Sequence, residues 1–160
     1  MLIGHIRSGS IAFIAYLVGG LSGKLIFILC AFIAKWLLEV INYTEHYGLV
    51  RVPGQPVKPH HSWNTNSAIS SMYLYNVTRH SSHHEKSHLK YWELKSYPNA
   101  PTMPQGYLSM LYLAIFLPWL YHKFMAPRLI DWDRNYASKE EQKIARFHNQ
   151  SSNIHVLHNK

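Results

Sequence analysis

The stretch that most constrains this chain is Lys24–Tyr43, with LIFILCAFIAKWLLEVI at its centre. Twenty residues at 1.5 Å rise span about 30 Å, the hydrocarbon thickness of a bilayer. Lipid offers no partners to backbone N–H and C=O groups, so such a segment must close its hydrogen bonds within itself as an α-helix. Lys35 and Glu39 interrupt the run four residues apart, where Lys35 can snorkel or pair with the carboxylate. Glu39 has a second option. Glu39, Asn42 and His46 fall at i, i+3 and i+7, one helix face, so an intramembrane carboxylate lies below a histidine near the membrane exit. A metal-bound imidazole commonly donates its other N–H to such a carboxylate.

The formal charge of +8 and pI near 9.6 would suit a nucleic-acid binder, but the 48% hydrophobic residues are blocked and the cations lie in polar segments between the blocks. No basic–aromatic recognition motif accompanies the charge, so nucleic acid is not an expected partner. The pattern reads instead as a membrane protein with basic loops on the cytoplasmic side, in contact with lipid. Trp36, Tyr43, Tyr47, Trp119 and Tyr121 gather near the ends of apolar blocks, as an interfacial belt would. The single cysteine, Cys30, excludes a disulfide framework or a four-cysteine metal site within one chain.

In chain order, the apolar stretch Ile11–Leu21, closed by Gly19-Gly20 and Ser22-Gly23, predicts a truncated transmembrane helix over about 2–21. A second helix follows over 24–46, with Gly48 as its C-cap. Pro53, Gly54, Pro56 and Pro59 mark a loop carrying His60-His61, which suit hydrogen bonding or gating better than ligation. Ser62 and Asn64 can cap a helix over 62–84 whose apolar stripe runs 69, 72/73, 76/77. After a proline-rich loop at 98–104, an apolar helix over about 105–122 is short for a span and broken by Pro118. The expected fold class is all-α: an integral-membrane helical bundle fragment whose cytoplasmic helices carry a histidine cluster. Residues 1–136 form this domain, and 137–160 form a polar tail with one short helix over 139–147.

The cluster is Arg79-His80-Ser81-Ser82-His83-His84. Histidines at i, i+3 and i+4 share one helix face and continue the stripe predicted upstream, so they point inward. Three converging neutral imidazoles suit Zn, Fe, Cu or Ni.

Three pieces now stand together: NYTEHYG at 42–48, HHSWN at 60–64 and RHSSHH at 79–84. The first matches every fixed position of N-Y-x-E-H-Y-G, and the last matches H-S-D-H-H except that Ser82 replaces the acid. With QGY at 105–107 and PW at 118–119, the chain over about 25–135 resembles the C-terminal part of the membrane-bound alkane 1-monooxygenases. These belong to the fatty acid desaturase-like superfamily of histidine-rich, non-haem di-iron membrane enzymes. The resemblance implies His46, His80, His83 and His84 as iron ligands; Glu39, Asn42 and Glu45, on the helix that carries His46, are the candidates to hydrogen-bond them, and no catalytic residue is expected beyond the ligands. It implies hydroxylation of the terminal methyl of an alkane or similar hydrophobic chain with O₂. Rubredoxin and its reductase would be the electron donors, at the cytoplasmic face of a bacterial inner membrane. The resembled family also uses an H-x-x-x-H and an H-x-x-H-H box upstream, yet the only histidine before His46 is His5. The expectation is therefore a C-terminal portion whose remaining ligands come from an upstream half. A xylene monooxygenase-like or desaturase-like oxidoreductase shares the motifs, and a non-catalytic membrane metal-binding protein is the alternative from another class.

Overall fold

The computed structural model describes residues 2–86, 88–152 and 154–158, and divides the chain into two compact units, Met1–Val40 and Ile41–Lys160. The described residues form helices and loops only, apart from an isolated bridge between Asn64 and Thr102.

The first unit is the body of α1 (Leu2–His46). The two helices expected at 2–21 and 24–46 form one helical run, broken at a single residue, Gly20, with φ 61° and ψ −149°. Only glycine adopts that conformation without a steric penalty, which is why the break falls in the Gly19-Gly20 pair. Just beyond it, Gly23 lies so close to the Ala15 carbonyl that a Cβ would collide with the oxygen. Leu17, Val18, Leu21, Ile26 and Phe32 are all more than half exposed. Among the described residues, α1 is the one helix long and apolar enough to cross a membrane.

The second unit begins with the last turns of α1 and is built around α5. The chain leaves α1 at Gly48 (φ 68°), with the Leu49 N–H donating to the His46 carbonyl. This is the C-cap expected there. The predicted helix over 62–84 is instead two short pieces, α2 (Ala68–Tyr73) and α3 (His80–Glu85). Tyr75 and Asn76 between them take positive φ (49° and 58°), which no helix can run through. The stripe residues Ile69, Met72 and Tyr73 are correspondingly exposed. The apolar periodicity was real, but its upstream part does not face the core.

Beyond the 98–104 loop, α4 (Tyr107–Phe116) stops at Leu117, and Pro118 opens α5 (Pro118–Asn135). Proline has no N–H to continue the ladder and suits a first helical position. α5 runs thirteen residues past the expected end at 122, because Tyr121, Met125, Leu129 and Trp132 (i, i+4, i+8, i+11) form a buried stripe hidden in sequence among charges and Pro127. They pack with Trp63, Tyr107 and Met110 in the main core. The tail carries a longer helix than the one expected over 139–147. α6 (Lys139–Ser151) opens on a capping box in which the Glu141 N–H donates to Ser138 Oγ (3.3 Å) and the Ser138 N–H to Glu141 Oε2 (2.8 Å). Its Ala145 joins the core beside Leu157.

Gly48→Ala should destabilise the second unit by about 1–2 kcal/mol, the penalty of an L-residue in the left-handed region. A Cβ there also lands 2.5 Å from Leu129 Cδ2. Thermal unfolding of the two proteins in the same detergent measures the difference.

Candidate metal centre

His46 arrives on the last turn of α1, while His80 and His84 stand one turn apart on α3. Their Nε2 atoms converge: His46 Nε2 lies 3.3 Å from His80 Nε2 and 3.4 Å from His84 Nε2. All three ligand atoms fall within 4.8 Å of one another. A tetrahedron with metal–nitrogen bonds of about 2.0–2.1 Å has edges of about 3.3–3.4 Å, so the spacing is that of ligands around one ion.

The far side of the ring decides the tautomer of His46. His46 Nδ1–H donates to the His61 carbonyl (3.0 Å), which leaves the Nε2 lone pair free for the cluster. His80 Nδ1 lies 3.2 Å from Oε2 of the buried Glu45, whose carboxylate also meets the Tyr107 hydroxyl. Burial, reinforced by His84, His46 and His83, holds His80 down at about 3, and burial lowers His84 too. Both are therefore neutral at neutral pH, the form a metal requires. The donor set fits a divalent transition metal.

One loop holds the three ligands in register. The Trp63 N–H donates to the Glu45 carbonyl (2.8 Å) and its indole to the Tyr47 carbonyl (2.8 Å), which ties the loop to the end of α1. Next to it, Asn64 Oδ1 accepts the Ser81 N–H (3.0 Å), and Asn64 Nδ2 donates to Ser81 Oγ (2.6 Å), which ties the loop to α3. Asn64 is thus the joint between His46 and the pair on α3.

The other expected site residues fall elsewhere. Glu39 is exposed and paired with Lys35 (Nζ–Oε1 3.1 Å), so the carboxylate next to the histidines is Glu45. Asn42 is exposed on α1. His83 is exposed, its ring 6.0 Å from that of its neighbour His84, because adjacent residues on a helix diverge by about 100°. Ser82 is buried and accepts the Lys95 N–H (3.2 Å). Of the loop histidines, read as hydrogen-bonding groups, His61 bonds through both ring nitrogens. His61 Nε2 meets Glu141 Oε1 at 2.6 Å, and His60 Nε2 lies 3.4 Å from Oε2. Sequence reading missed Glu141, although Ser138-x-x-Glu141 carries the signature of a capping box that would have placed it at a helix start. Beside His46 and His84 opens a cleft of about 250 Å³, walled by Leu49, Val50 and Val57, with Arg51 and His61.

The fatty acid desaturase family model matches residues 2–114, which includes His46, His80 and His84. The chain belongs to the fatty acid desaturase family. Among family relatives, it is 38% identical to alkane 1-monooxygenase 1 of Pseudomonas aeruginosa, over 82% of this chain and 36% of the relative. It is 39% identical to alkane 1-monooxygenase 1 of Alcanivorax borkumensis, over 61% of this chain and 25% of the relative. The xylene/toluene monooxygenase hydroxylase component XylM of Pseudomonas putida is 36% identical over 82% of this chain and 35% of its own length. The chain thus spans between a quarter and somewhat over a third of these desaturase-family relatives.

Two outcomes follow. In an anaerobic titration with a divalent metal, His84→Ala should weaken the tightest site by at least 10–100-fold, the loss seen even for outer partners of a ligand, whereas His83→Ala should change it little. Glu141 provides the acid dependence. Burial pushes its carboxyl up, but the Ser138 N–H, His61 and the Ser138 hydroxyl outweigh it and hold the group at about 2. A depressed carboxyl stabilises above its ordinary value near 4.5 and loses that contribution as pH falls towards 2. Hydrogen-exchange protection of α6 should fall across that window, and Glu141→Gln should flatten the dependence.

Proposed function

We propose that this chain forms the histidine-rich metal-binding portion of a membrane-bound, non-haem iron monooxygenase that hydroxylates the terminal methyl of alkanes or similar hydrophobic chains. The observation that carries the proposal is the convergence of His46, His80 and His84 on one point, in a chain 35–39% identical to several alkane 1-monooxygenases. Iron held there supplies the activation of O₂ that C–H hydroxylation needs. His46, His80 and His84 would hold it, with Glu45 and the His61 carbonyl fixing the rings. His83 stands exposed beside them, available to a second iron of a di-iron pair.

The protein's own groups account for the rest. Leu49, Val50 and Val57 give the cleft beside His46 and His84 an apolar wall for a hydrocarbon end. Imidazole ligands with buried Nδ1 partners resist exchange and keep the site's geometry during turnover. α1 would anchor the site to the inner membrane, with the histidines at the cytoplasmic face. There the chain's basic loops would meet an acidic electron carrier such as rubredoxin, itself reduced by a reductase.

A second reading has its own support, since the match to XylM covers 82% of this chain, the same share as the match to alkane 1-monooxygenase 1 of Pseudomonas aeruginosa. In that case the substrate is a methyl group on an aromatic ring, set by the shape of the cleft rather than by the metal ligands. The test is to combine this chain with the upstream part of an alkane 1-monooxygenase that carries the H-x-x-x-H and H-x-x-H-H boxes, load the pair with iron, and supply O₂, a rubredoxin–reductase system and, in separate vessels, octane and p-xylene. Formation of 1-octanol supports the proposal; 4-methylbenzyl alcohol alone transfers it to the second reading. No metal-dependent product from either, with iron bound, would contradict both.

A further inference from the structure

We infer that Glu141 and His61 together position the metal ligand His46, so that α6, beyond the family match, is part of the metal site's support. The inference rests on the proposed metal site and goes beyond it. The chain of contacts is continuous. The backbone N–H of Lys58 donates to His61 Nδ1 (3.0 Å), so His61 must carry its proton on Nε2. That Nε2–H donates to Glu141 Oε1 at 2.6 Å. The carbonyl of the same residue, His61, accepts Nδ1–H from His46 at 3.0 Å. One step back, Trp132 Nε1–H on α5 donates to the His60 carbonyl at 2.6 Å. The His60-His61 pair is therefore pinned by α5 and α6 on one side and presents a fixed carbonyl to His46 on the other.

Both partners are buried, Glu141 at 4% and His61 at 6% exposed, so water does not compete for the link. A ring that loses its fixed Nδ1 acceptor can rotate about χ2 or change tautomer, and either turns the Nε2 lone pair away from His80 and His84. Glu141 does this without touching the cluster, which makes it a positioning residue.

His60, His61 and Glu141 also lie close enough to suggest a second metal site. The proton on His61 argues against it. A neutral imidazole has one lone pair, and that of His61 is taken by the Lys58 N–H, so its Nε2 faces Glu141 as a donor. This group is a hydrogen-bonded buttress.

The test is an anaerobic titration of the full 160-residue protein in detergent with Co(II), reading both affinity and ligand-field absorption below the melting temperature of each variant. Glu141→Ala should weaken binding about 10–100-fold and shift the absorption bands, as loss of a ligand's supporting partner does. Glu141→Asp keeps the charge at the helix cap but is too short to reach His61, and should behave likewise even if Glu141→Ala folds poorly. Glu141→Gln, whose amide oxygen still accepts from His61, should stay close to the parent. Ser138→Ala loosens the cap of α6 without touching His61 and should leave affinity and spectrum unchanged.

Parent-like affinity and spectrum in both Glu141→Ala and Glu141→Asp, with binding abolished by His84→Ala, overturns this inference and leaves the metal site standing. A loss in Ser138→Ala equal to that in Glu141→Ala also overturns it, since helix stability alone would then explain the effect. If His84→Ala binds Co(II) like the parent while Glu141→Ala does not, the metal lies at His60, His61 and Glu141. Both readings then fail.

Discussion

The second unit depends on three imidazole Nε2 atoms that meet at one point. Two of the three rings have a buried group beside Nδ1: His46 donates to the His61 carbonyl, and His80 Nδ1 lies 3.2 Å from Glu45 Oε2. His46 cannot turn its N–H inward without abandoning that carbonyl. The second unit is organised to hold these groups in place. Trp63 fastens the loop to α1 and Asn64 fastens it to α3, while Trp132 and Glu141 hold the same loop from behind.

This division of labour explains why the core is aromatic. Trp63, Tyr107, Tyr121 and Trp132 are each at most 1% exposed. Such side chains bury about 150–250 Å² apiece and also carry a polar end. In Trp63 and Trp132 the buried indole N–H donates to a carbonyl on the backbone that frames the histidines. The packing that stabilises the unit therefore also sets the positions of the ligands' supports.

The parts legible in the sequence were those with a local signal. The apolar run from Lys24 to Tyr43 marked the second half of α1, the glycine after His46-Tyr47 marked its end, and the i, i+4 spacing of His80 and His84 placed both rings on one face. The rest depended on long-range partners. Glu39 and Glu45 are both carboxylates near His46 in sequence, and only the position of His80 in space singles out Glu45. The helix expected over 62–84 failed because the pairing of the Thr65 N–H with the Thr78 carbonyl draws the chain into a turn, overriding a periodic stripe of Ile69, Met72 and Tyr73. The buried stripe of α5 was diluted by charges facing solvent. The tail's composition reads as polar, yet its one buried carboxylate, Glu141, is the residue that ties it to the site.

The most direct test of a three-histidine centre is X-ray absorption on the zinc-loaded protein, which counts imidazoles around the ion. The account predicts at least three imidazole nitrogens at about 2.0–2.1 Å, with one fewer in His84→Ala. An ion surrounded mainly by oxygen, or an imidazole count unchanged by that substitution, would contradict it.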